Sequence, residues 1–144
     1  MLCYRASMLA STGSVHEQEF VRSFIQKERR ERSSFLLSDP NRRREFTAKL
    51  AYFNWLDERF ATSVPGSMAH TSAELVSLLK QNGADPIVWV ISEDRSIDGR
   101  ALALQEAMDS IWGRSVGSVL SCVPGKLAFY RGEEMKSELL LKHP

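Results

Sequence analysis

One short run, Ile87-Val-Trp-Val-Ile91, limits what this chain can fold into more than any other. Every residue in it is apolar, so both faces of the strand it forms must be kept from water. A half-solvated strand would alternate apolar with polar side chains. The fold therefore has to supply cover above and below this segment.

Helical periodicity supplies candidates for that cover. Phe20, Val21, Phe24 and Ile25 make a narrow apolar stripe, and the polar "KERRER" after it predicts a helix that continues to about Ser33. Phe35, Leu36 and Leu37 then read as a return to the core. A second helix opens at Asp39-Pro40, a cap followed by a residue suited to the first helical position. Its buried face is Phe46, Leu50 and Phe53, widened by Trp55 and Leu56. Thr71 and Glu74 form a capping box ahead of Leu75, Val76, Leu78 and Leu79, and Gly83 fits the stop. After the central strand, Leu104, Met108, Ile111 and Trp112 predict one more helix, ended by Gly113. The segments "SVGSVLSC" and "KLAFYR" read as an antiparallel hairpin around Val123-Pro-Gly-Lys126. The expected fold is α+β in the order α-α-α-β-α-β-β, about four helices packed on a small sheet of about three strands.

At 144 residues and a formal charge of +1, the chain suits a single domain. Residues 15–144 are assigned to that domain, residues 1–14 to a flexible arm, and any seam to 61–70 around Pro65-Gly66. Arg5 interrupts the apolar opening, which argues against a signal peptide. Two cysteines, Cys3 and Cys122, are too few for a bridged secreted scaffold and point to a reducing cytoplasm. No apolar run is long enough to span a bilayer.

Gly113-Arg-Ser115-Val-Gly117 matches the G-x-S-x-G elbow of serine hydrolases, but in the wrong setting. That elbow joins a strand to a following helix, whereas here a helix ends and a strand begins. The one later histidine, His143, is penultimate. Asp94, Ser96, Asp98 and Gly99 imitate a calcium loop until its last position, where Gln105 replaces the bidentate glutamate. Cys122 has no histidine near it in sequence, and Trp55, Trp89 and Trp112 sit on apolar stripes; all four read as core. Neither a cofactor nor a metal is expected.

Charge is distributed unevenly. Arg22 to Lys49 holds nine basic residues against four acidic ones, whereas Ala61 onward holds eight against ten. Arg42, Arg43 and Arg44 open a helix, where the dipole disfavours cations and an anionic partner would help them. Asp94, Asp98 and Arg100 follow the central strand, at a sheet end where ligands often bind. These six are the candidate binding residues; no catalytic residue is assigned. The expected function is a small non-enzymatic module that binds a protein, or itself, through its N-terminal helical half. The alternatives are a nucleic acid or phosphate ligand on the arginines, then an enzyme built around Asp94, Asp98 and Arg100.

Overall fold

The computed structural model describes the backbone of residues 2–64, 71–112, 114, 116–133 and 138–144, with side chains from residue 12 onward. The chain is α+β, but its sheet has six strands rather than three. The strands are β1 (Ala61–Ser63), β2 (Ile87–Ser92), β3 (Arg100–Ala103), β4 (Ser118–Val123), β5 (Leu127–Arg131) and β6 (Glu138–Lys142). Their spatial order is β1-β6-β5-β4-β2-β3, antiparallel throughout. The strand at 87–92 and the hairpin of β4 and β5 fall where the sequence puts them. The three unexpected strands are three to five residues long, too short to show a period of two. Backbone pairing with a formed neighbour recruits them, and their side chains say little about it.

Among the described residues, five α-helices cover the two faces. These are α1 (Leu2–Phe24), α2 (Arg30–Ser38), α3 (Arg43–Thr47), α4 (Ser72–Gln81) and α5 (Leu104–Ile111). Residues 2–14, assigned to an arm, are thus helical in backbone. Val88 and Val90 face a cluster with Leu75, Leu79, Met108 and Ile111, from α4 and α5. Trp89 and Ile91 face the opposite cluster, with Phe20, Phe24, Leu36 and Phe46 from α1, α2 and α3. The period of two in β2 therefore divides one apolar run between two cores. Helix α4 matches its signals closely. Thr71 Oγ1 accepts from Glu74 N at 3.1 Å, and Gly83 (φ 94°) ends the helix with bonds from Gly83 N to Lys80 O and from Ala84 N to Leu79 O.

The N-terminal helices depart from expectation. The first does not run on to Ser33; it stops at Phe24, and Ile25 pairs as an extended residue with Leu56. Gln26 N donates to Trp55 O and Asp57 N to Phe24 O, both at 2.8 Å. These bonds also break the second predicted helix, which survives as α3 and a single 3-10 turn at Leu50–Tyr52. Tertiary pairing overrides a weak helical preference here. Phe35 turns outward, 47% exposed, because α2 points Ser33, Leu36 and Leu37 inward.

The segment at Leu50–Ala51 packs tightly against the end of the sheet where β4 begins and β5 finishes. Tyr130 Oη donates to Leu50 O at 2.6 Å, and Glu133 N donates to Ala51 O at 2.9 Å. A Cβ on Gly117 would lie 2.1 Å from the Leu50 carbonyl carbon, so only glycine lets this backbone pass. Gly117→Ala is expected to lower unfolding free energy by about 3 kcal/mol in urea denaturation. Gly83→Ala meets open space, and its left-handed backbone should cost about 1 kcal/mol.

Candidate functional site

A cavity of about 1150 Å³ opens between α1, α2 and the β2–β3 side of the sheet. Three of the six sequence-nominated residues, Arg43, Asp98 and Arg100, line it. Among the described residues its other charged side chain is Glu17 of α1, which the sequence gave no reason to single out.

Arg43 is the hub. It sits at the first position of α3 and reaches across to two carboxylates. Nε donates to Asp98 Oδ2 at 2.7 Å, and Nη2 donates to Asp98 Oδ1 at 3.0 Å and Glu17 Oε2 at 2.6 Å. Nη1 donates to Glu17 Oε1 at 2.8 Å and to the Leu37 carbonyl at 3.4 Å. All five guanidinium N–H donors are thereby occupied. Burial alone would lower the Arg43 pKa, but hydrogen bonds and charge from Asp98 and Glu17 outweigh it and raise the value above that of ordinary arginine. The carboxylates have further donors: Trp89 Nε1 to Glu17 at 2.8 Å and Ser92 N to Asp98 at 3.0 Å. One side chain thus joins α1, the end of α2, α3 and the loop after β2.

The other nominated residues go elsewhere. Arg42 and Arg44 are exposed; Arg42 pairs with Glu45 at 3.4 Å. Asp94 accepts from Ser96 N and Ser96 Oγ and pairs with Arg114. The Ser96 hydrogen bonds first, then Arg114, hold its carboxyl below the usual range. Asp94 and Asp98, which sequence spacing aligns as calcium ligands, are therefore committed to different arginines. Arg100 is exposed at the start of β3, with Nη1 donating to Ser96 O at 3.1 Å.

Ser115 lies outside the described residues. Around it the order is as the sequence indicates: α5 ends at Ile111 and β4 begins at Ser118. His143 packs against Phe60, with ring centroids 4.2 Å apart. Among the described residues, the serine that does meet an imidazole is Ser121, whose Oγ lies 2.7 Å from His16 Nδ1. Both are buried between α1 and the sheet, Ser121 at 1% exposure, and neither lines the cavity. Cys122 is a free thiol with no exposed surface, pushed up to about 12 by burial and then by Asp85.

Compared with protein-family models, curated proteins and solved structures, the chain matches none.

A second surface lies on the helical layer. The guanidinium groups of Arg32 and Arg42 both lie over the Phe35 ring, at 5.8 and 5.7 Å from its centre. Trp55 lies beneath Arg29 and Lys49, at 5.2 and 5.1 Å. Glu45 pairs with both Arg32 and Arg42, which ties those two cations together beside Phe35. The sequence carried its charge plainly; that Phe35 faces outward was not legible, since Phe35, Leu36 and Leu37 are equally apolar.

Removing the hub should leave Glu17 and Asp98 uncompensated. Arg43→Ala is expected to lower stability by about 3 kcal/mol in urea, with Arg43→Lys restoring less than half because an ammonium cannot bridge two carboxylates in this planar way. His16 gives a pH dependence. Burial holds its imidazole below the usual 6.5, against opposing fields from Asp85 and Glu17. The unfolded chain then takes up the proton first as pH falls. Stability should be full above pH 6.5 and decline below it, and His16→Gln should flatten this part of the thermal-midpoint profile.

Proposed function

We propose that this protein is a non-catalytic binding module that receives an acidic segment of a partner protein on the α2–α3 face. The observation that carries this is Phe35, a large apolar side chain left 47% exposed beside two guanidinium groups. Aromatic and arginine side chains together are what interface centres favour. The local excess of cations, nine against four between Arg22 and Lys49, gives the partner its sign.

Binding rather than catalysis is supported by how the polar groups are used. Arg43, Glu17 and Asp98 satisfy one another, and the His16–Ser121 pair is sealed under α1. Of the arginines proposed as anion contacts, Arg43 is withdrawn into the cavity wall. Arg42 stays on the face, joined by Arg29 and Arg32.

The test is fluorescence anisotropy with a labelled oligoglutamate peptide and, separately, a labelled oligothymidylate. The peptide should bind at low salt and release as salt rises. Arg32→Ala and Arg42→Ala should each weaken it about tenfold, and Phe35→Ala should do the same without changing the salt slope. Tighter binding of the oligothymidylate would move the assignment to single-stranded nucleic acid, and binding of neither probe would end it.

A further inference from the structure

We infer that the cavity between α1, α2 and the β2–β3 side of the sheet is a binding site for a small organic monoanion with an apolar body. Its volume, about 1150 Å³, is somewhat above the roughly 300–1,000 Å³ of pockets that take drug-sized ligands, which leaves room for an aromatic body. Val21, Leu37, Trp89 and Ala101 supply apolar lining. Helix α1 holds the indole at two points. Glu17 fixes its Nε1–H, and the α1 backbone lies so close at Gly13 that a Cβ there would fall 2.3 Å from the ring. A fixed indole is a preformed wall, which spares a ligand the cost of ordering it.

The charge of the ligand follows from which cation has donors to give. Among the described residues, two cations and two anions line the cavity, and their formal charges cancel. Arg43 has no free N–H, so it cannot turn to an incoming anion. Arg100 is exposed and, among the described residues, donates one hydrogen bond, through Nη1 to Ser96 O. It can therefore engage one carboxylate or sulfonate in a charge-assisted pair. A polyanion such as a nucleoside polyphosphate is disfavoured, because Glu17 and Asp98 share the same walls. An apolar body on the hydrophobic lining with a single anionic head at Arg100 is the class that fits.

This site is separate from the α2–α3 face: Arg29, Arg32, Phe35 and Arg42 are not among its lining residues. Either assignment can fail without the other. The probes are 1-anilinonaphthalene-8-sulfonate and its neutral relative N-phenyl-1-naphthylamine, titrated by fluorescence against the full chain. Both should bind one to one. Arg100→Gln, at an exposed position, should weaken the sulfonate about tenfold and leave the neutral probe unchanged. Ser34→Trp places a large side chain in the wall from an exposed position of α2 and should abolish binding of both probes while the thermal midpoint holds. Three results would overturn the assignment: no sulfonate binding, binding indifferent to both substitutions, or an Arg100→Gln loss equal for the charged and neutral probes.

Discussion

The structure depends on burial of both faces of the central strands. In β2, β4 and β5, alternate side chains enter opposite cores: Trp89, Ile91, Val119, Ala128 and Tyr130 on one side, Val88, Val90, Leu120, Leu127 and Phe129 on the other. A sheet of this kind is unstable with helices on one face alone, because the uncovered row would stand in water. The chain divides the task by sequence position. Helices α1 to α3, which precede the sheet's centre, cover one face, and α4 and α5 cover the other.

That division makes the N-terminal layer the less regular of the two. It is joined to itself by extended segments, Ile25 with Leu56 and Gln26 with Trp55, and to the sheet by Tyr130 and the tight passage at Gly117. Where regular packing gives out, the ion network takes over. Arg43, on α3, reaches α1 and the loop after β2 through two carboxylates that are each mostly buried, and the end of α2 through the Leu37 carbonyl. A buried network of this kind adds little net stability compared with well-packed apolar side chains, but it permits few alternative arrangements once every donor is used. The same saturation separates the roles of neighbouring arginines. Arg43 becomes architecture, while Arg42 on the α2–α3 face and Arg100 at the cavity stay exposed.

Much of the fold was readable from residues alone, and the failures have a common origin. The central strand, the 118–131 hairpin and α4 with both its caps follow from local signals: an apolar run, a Pro-Gly turn, a Thr-x-x-Glu box and a glycine stop. The α2–α3 face was legible as charge. Glu17 was not legible as a site residue, for a lone glutamate on a helix has no distinguishing neighbours in sequence. Its meaning comes from Arg43, 26 positions away, and Trp89, 72 positions away.

By itself, then, the sequence determined a strand needing cover on both sides, helices with apolar stripes to provide it, and an early half rich in cations. Tertiary structure decided the sheet's edges, the broken helices at 25–26 and 53–57, the outward turn of Phe35 and the cavity. Each of these is settled by partners far along the chain. A backbone hydrogen bond to a distant strand or a carboxylate from another helix outweighs the few tenths of a kilocalorie that local propensity contributes per residue.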